Sequence, residues 1–288
     1  MIRALACIVA LLAVEAHADA LRVVDDRGVA LTLDRPALRI VTLAPHLAEI
    51  AFAAGAGEKL VGVSAYSNTP DEARRLPIVA SYGRVDLERV IELRPDVVLA
   101  WRSGNSILQV ERLERLGIPA AVTEARRLED IPRIVRLVGA LAGSTAVADV
   151  QARRFENAVR DLSDRHASAP PVSVFLEIWH RPMLTVNGGH LISDAIRICG
   201  GRNVFAQAGF LTPVVSREQI LGARPEAIIT TDSGGEALQA WRGLEAVPAV
   251  GEHKIYLIDP DLLLGQGPRL ADGVRALCRE LELARKQQ

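Results

Sequence analysis

Glu88 and Glu218 occupy the same place in two copies of one sequence frame, set about half the chain apart. Val85-Asp86-Leu87-Glu88-Arg89-Val90-Ile91-Glu92-Leu93-Arg94-Pro95-Asp96-Val97-Val98-Leu99 lines up with Val215-Ser216-Arg217-Glu218-Gln219-Ile220-Leu221-Gly222-Ala223-Arg224-Pro225-Glu226-Ala227-Ile228-Ile229. Two carboxylates placed in this way present a matched pair of charges. A two-fold partner meets both at once, and complementary charge guides encounter and register. The alternative is that each is a solvated acid in the first turn of a helix, where the helix dipole favours it.

Other chemistry is sparse. No Gly-x-Gly-x-x-Gly or Gly-x-x-x-x-Gly-Lys follows a predicted strand, and Gly200-Gly201 reads as a helix stop, not a phosphate cradle. Ser64 lacks a nucleophile elbow, so no catalytic residue is assigned. The histidines are scattered and do not gather with Asp and Glu around one ion, so no metal site is assigned.

The repeat also sets the architecture. Each copy reads as a short amphipathic helix, a turn at Arg-Pro-acid and an apolar strand, because proline ends the helix. Two copies imply two lobes on one plan, with a small-molecule cleft between them. In the first lobe, strands are predicted at Leu38–Leu43, Leu60–Ser64, Val97–Trp101 and Ala120–Thr123, with helices between them. Leu43 is followed by a loop, Ala44-Pro45-His46, and a helix from Leu47 to Ala54. In the second lobe, strands are predicted at Val172–Ile178, Ala227–Thr231 and Lys254–Ile258, with helices at Leu191–Ile198 and Arg269–Lys286. Alternation of this kind argues for an α/β fold with mainly parallel sheets. Between the lobes, Ser144 is a predicted N-cap, and the apolar residues that follow repeat at helical spacing up to His166. The expected domains are a signal peptide (1–20), an N-terminal lobe (21–143), a linking helix (144–167) of about 33 Å and a C-terminal lobe (168–288). A single helical connector predicts a stiff clamp.

Arg3, the apolar run Ala4–Val14 and Ala16-His17-Ala18 make up the export signal, with cleavage after Ala18 or Ala20. Its removal leaves Cys199 and Cys278. In an oxidising compartment this even pair reads as one disulfide, and two buried free thiols are the alternative. Lys and Arg total 34 against 35 Asp and Glu. This near-neutral balance, with no basic stripe, excludes a nucleic-acid partner, and no later run approaches the ~20 apolar residues of a membrane span.

Arg39-Ile40-Val41-Thr42-Leu43-Ala44-Pro45, Val61-Gly62-Val63-Ser64-Ala65-Tyr66-Ser67, Ala100-Trp101-Arg102-Ser103-Gly104-Asn105, Cys199-Gly200-Gly201-Arg202-Asn203-Val204-Phe205 and both copies of the repeat resemble the periplasmic cobalamin-binding proteins of ABC importers. That broader family includes haem and siderophore binders with two Rossmann-like lobes joined by one long helix. The resemblance implies that Glu88 and Glu218 dock onto arginines of a permease dimer and, through it, serve its ATPase subunits. It also places the ligand at Pro45, His46, Tyr66, Tyr82 and Trp101 in the first lobe. In the second it uses Trp179, the segment containing Phe210 and Thr212, and the polar contacts Asp261 and Arg269. A flat corrin or porphyrin wants aromatic faces, and ligands of open α/β sheets bind beyond the strand carboxyl ends. His46 and His180 fall in the same loops, where an imidazole is a candidate axial contact to cobalt or iron. Close cobalamin binders tend to carry Trp where this chain has Tyr82 and Thr212.

The expected function is a monomeric periplasmic solute-binding protein that carries cobalamin or a related corrinoid as transported ligand, with no cofactor of its own. A haem or ferric-siderophore binder is the alternative. A secreted α/β enzyme without a recognisable motif is the alternative of a different class.

Overall fold

The computed structural model describes residues 20–81, 83–232 and 235–286. The predicted signal up to residue 19 and Tyr82 lie outside the described residues.

A hairpin that the sequence reading did not foresee comes first, β1 (Leu21–Val24) paired antiparallel with β2 (Ala30–Leu33). The first lobe continues through β3 (Ile40–Thr42), α1 (Pro45–Ala53), β4 (Leu60–Ser64), β5 (Ile78–Ser81), β6 (Arg84–Val85), α2 (Leu87–Glu92), β7 (Val97–Trp101), α3 (Ile107–Arg115), β8 (Ala120–Thr123) and α4 (Asp130–Ala142). Its sheet runs β6-β5-β4-β3-β7-β8 and is parallel except for the β5–β6 pair. After α5 (Thr145–His166) come β9 (Val172–Glu177), α6 (Leu191–Ile198), β10 (Gly201–Asn203), α7 (Arg217–Ala223), β11 (Ala227–Thr230), α8 (Glu236–Ala240), α9 (Pro248–Gly251), β12 (Ile255–Leu257), α10 (Pro260–Leu263) and α11 (Leu270–Lys286). The second sheet, β10-β9-β11-β12, is wholly parallel. The α/β fold with two mainly parallel sheets is as expected.

Three local expectations are corrected. Pro45 and His46 are not loop but the first turn of α1, where proline costs nothing because its missing N–H would have no helical partner. Gly201 does not prolong the helix stop but opens β10; only Gly200, at φ +71°, has the left-handed conformation of a stop. Ser144 precedes α5 without a side-chain cap bond; its hydroxyl instead donates to the Ala54 carbonyl at 2.6 Å.

The repeat holds down to single interactions. Asp86 and Ser216 both cap their helices, accepting from the N–H groups of Arg89 and Gln219. Arg94 and Arg224 both take positive φ, +43° and +48°. Asp96 then accepts from the backbone N–H groups of Leu38 and Arg39 ahead of β3, and Glu226 accepts from the N–H and hydroxyl of Ser173 in β9. Each acid therefore pins the first strand of its sheet in chain order to the strand that closes the repeat, making β3 the counterpart of β9 and β7 that of β11.

Helix α5 carries the chain from one sheet to the other. It packs on α4 and α1 on one side and on α6 and α11 on the other. Gly139 permits close approach to α4, since a Cβ there would fall 2.2 Å from that of Ala148. One apolar core runs through Leu47 and Ile50, Leu99, Ile134, then Ala152, Phe155 and Leu162 of α5, and on to Leu176, Ile196 and Leu277. Along the strands alternate residues face opposite ways: Val97 and Leu99 enter this shared core, while Val98 and Ala100 join a separate cluster on the far side of the first sheet.

Cys199 and Cys278 form a disulfide between the end of α6 and α11, closing a loop of 79 residues. A Cys199→Ser/Cys278→Ser chain is expected to lose about 4 kcal/mol of stability, a fall of roughly 10 °C in melting midpoint for a chain of this size. A midpoint unchanged from the oxidised wild type would sink that account.

Candidate functional site

The carboxyl ends of β3 and β7 build the first wall. Asn105 ties them together: its Oδ1 accepts from the Trp101 N–H at 2.7 Å and its Nδ2 donates to the Leu43 carbonyl at 2.9 Å. The Trp101 ring is half-buried and lies over Gly104, where a Cβ would sit 1.8 Å from it. His46 meets that ring edge-on, with centroids 5.2 Å apart at 90°. The Trp101 Nε1 is buried with no hydrogen-bond partner among the described residues. Pro45 is exposed beside this pair. Tyr66, past the end of β4, is 61% exposed on a backbone at φ +67°, a conformation bulky residues rarely adopt.

The second wall starts at Glu177, the fully buried last residue of β9. Its carboxyl group accepts from Trp241 Nε1 at 3.1 Å and shares a hydrogen bond of 2.7 Å with His180 Nδ1, which fixes the orientation of the imidazole. Trp179 is 61% exposed, with its Nε1 donating to the Arg181 carbonyl at 2.9 Å. Isolated antiparallel bridges link Trp179 to Leu184 and Leu184 to Val214. They bring the Trp179 loop together with the segment carrying Phe210, 79% exposed, and Thr212, also exposed. A cavity of about 450 Å³ lies beside Trp179 and His180 and is lined by second-lobe residues alone, Thr231, Asp232, Pro260 and Leu264 among them; neither Trp101 with His46 nor Phe210 with Thr212 lines it. That is a volume suited to a small-molecule ligand.

The strand ladders make the walls counterparts. Thr42 pairs with Leu99, and Leu176 pairs with Ile229. Leu99 and Ile229 are equivalent in the repeat, so Thr42 matches Leu176. Four residues on, His46 matches His180, and by the same count Trp101 matches Thr231. No reading of the sequence alone reached this, because the repeat does not extend to the first strand of either lobe.

The polar candidates separate. Asp261 is exposed in the first turn of α10. Arg269 spans the lobes: its Nη1 donates to Thr69 Oγ1 at 2.6 Å and its backbone N–H to Glu49 Oε1 of α1 at 2.9 Å. Burial raises the Glu49 carboxyl above the usual range, while the Arg269 N–H and charge oppose it. A larger cavity, about 600 Å³, lies elsewhere, between the loop after β8 and α6 with β10, and is lined by Arg126, Arg127, Arg197 and Arg202 among others. The sequence reading missed it, and the Arg126-Arg127 pair after β8 was its only signal.

Glu88 and Glu218 are both exposed, in the first turns of α2 and α7. The Ser216 hydroxyl and its own backbone N–H hold the Glu218 carboxyl below the usual range. No group of three or more His, Cys, Asp or Glu able to hold a metal ion occurs among the described residues, and no described helix is long and apolar enough to cross a membrane.

Burial holds His46 down to about 4, and burial followed by the charge of Arg126 holds His190 down to about 4. His190 caps α6 through an unprotonated Nδ1 that accepts from the Ile192 N–H at 3.2 Å. An unfolded chain protonates both rings near 6.5, whereas the folded chain refuses both protons until about 4. Between these values the unfolded state binds more protons, so stability falls as pH falls, by up to about 2.7 kcal/mol per pH unit for two groups. Glu49 opposes this, since its raised carboxyl takes up a proton earlier in the folded state. Thermal melts from pH 7 to pH 4.5 are expected to show the decline, and His190→Asn, which keeps a capping acceptor, is expected to flatten it. An equal slope in that variant would exclude His190 as a source.

The family model for periplasmic binding protein matches residues 40–262. The vitamin B12-binding protein of Vibrio cholerae serotype O1 is 34% identical over 253 residues, covering 88% of this chain and 92% of that protein. The protein of that name from Pectobacterium atrosepticum is 34% identical over 251 residues, covering 84% and 88%. The crystal structure of the periplasmic vitamin B12 binding protein of Vibrio cholerae superimposes with a TM-score of 0.81 at 33% identity, covering 87% of this chain and 99% of that one. A periplasmic heme-binding protein in complex with two hemes gives a TM-score of 0.76 at 27% identity, covering 85% and 98%. With the two sheets, the helix between them and these likenesses over most of its length, the chain belongs to the periplasmic binding protein family.

Proposed function

We propose that this chain is a periplasmic solute-binding protein that holds cobalamin or a related corrinoid between lobes 21–143 and 168–288 and delivers it to the permease of an ABC importer. The observation that carries the reading is the pair of aromatic surfaces on counterpart walls, Trp101 with His46 on one and the exposed Trp179 on the other. The likeness to vitamin B12-binding proteins supports the choice of ring. A corrin offers broad apolar faces for indole and imidazole, and an amide rim for exposed polar groups such as Thr212 and Asp261. The chemistry is reversible capture, and ATP hydrolysis belongs to another subunit.

One observation favours haem as the second reading. His180 is oriented by a buried carboxylate on Nδ1, the arrangement that fixes the ring and raises the basicity of Nε2 toward a metal.

Isothermal titration of the signal-free protein with cyanocobalamin, cobinamide and haem in parallel separates these. One-to-one cobalamin binding is the expected result; silence for both corrinoids overturns the first reading. Haem binding whose Soret band shifts in His180→Ala establishes the second.

A further inference from the structure

Most of the repeated frame is explained by folding. Val85 and Val215 are each 7% exposed, Val90 and Ile220 are fully buried, and the caps, the left-handed arginines and the following acids all serve the same local structure twice. Two shared positions are not explained. Glu88 and Glu218 point into solvent, and so do Ile91 and Leu221, each 44% exposed. Residues three apart share one helix face, so each lobe offers an exposed acid beside an exposed aliphatic. Neighbouring exposed positions of α2 and α7 are not held to a residue type: Arg89 is matched by Gln219, and Glu92 by Gly222. The solvent face of a helix ordinarily carries polar residues, so an aliphatic retained twice beside the retained acid calls for a partner.

We propose that Ile91 and Leu221 are apolar anchors of the surface that meets the importer's permease dimer, each seated beside the cation that receives Glu88 or Glu218. The inference rests on the docking role proposed for those glutamates. An exposed ion pair contributes little while water surrounds it, and an adjacent aliphatic that excludes water strengthens it. The acids also decide between occupants. A second copy of this chain on the same face would set carboxylate against carboxylate, whereas a two-fold cationic surface satisfies both lobes together.

The test measures binding of the ligand-loaded chain to its permease–ATPase complex in nanodiscs. Ile91→Ser and Leu221→Ser are each expected to weaken the complex about tenfold, and the double variant about a hundredfold. Ligand titration and melting midpoint should match the wild type. Leu108→Ser, which removes a 69% exposed aliphatic on α3 outside the frame, should change nothing. Wild-type affinity in the serine pair, with loss in Glu88→Lys/Glu218→Lys, overturns the inference and leaves the docking role standing. Wild-type affinity in both sets overturns the docking role as well. Equal weakening by Leu108→Ser overturns the assignment of these two positions.

Discussion

Trp179→Ala is expected to raise the dissociation constant for cyanocobalamin by nearly a hundredfold, with the melting midpoint unchanged. Trp179 is 61% exposed and makes one side-chain hydrogen bond, to the Arg181 carbonyl, so little of the fold leans on it. A bound ring covering about 100 Å² of that indole gains about 2.5 kcal/mol at 25 cal/mol per Å², which converts to just under a hundredfold. Trp101 is the less clean probe. It is packed into the wall against His46 and Gly104, so its truncation leaves a cavity and costs stability as well as affinity. Titration with matched melts separates the two effects. Unchanged affinity in Trp179→Ala would remove the second wall from the site.

Glu88→Lys/Glu218→Lys is expected to cut uptake of labelled cobalamin in reconstituted vesicles by more than about a hundredfold while sparing ligand affinity. Both carboxylates are exposed in the first turns of α2 and α7, and neither lines the cavity beside Trp179, so reversal leaves the walls intact. Against a cationic partner, each reversal turns attraction into like-charge repulsion costing several kcal/mol. Glu88→Asp/Glu218→Asp should retain most of the uptake, since the charge survives. Undiminished uptake in the lysine pair would move the docking surface elsewhere.

Some elements were legible to the residue: the strands Val97–Trp101 and Ala120–Thr123 match prediction, as does the helix Leu191–Ile198. They are bounded by proline, glycine or a cap, signals that act within a few residues. The hairpin of Leu21–Val24 with Ala30–Leu33 was missed because its strands are short and half exposed, which weakens the periodic signal. Trp101 and Trp179 stood out in the sequence because aromatics are rare here and they lie at the end of a predicted strand or just beyond it; their place in a ligand site belongs to the function proposed. The engagement of Arg269 with Thr69 and Glu49 was not, since those partners lie 200 and 220 positions away. Nor was the buried Glu177 beneath His180, because an acid closing an apolar strand reads as a solvated end until the fold covers it.

The uninterrupted apolar core through α5 sets where work must be applied to empty the protein. Swinging one sheet away from the other would expose Phe155, Leu162 and their neighbours to water, a cost that grows by about 25 cal/mol for each Å² uncovered. Thermal energy of about 0.6 kcal/mol rarely meets it. On the function proposed above, α5 serves as a fulcrum, and opening the lobes is work that a partner has to supply. The protein then resembles a spring clip more than a hinge that breathes.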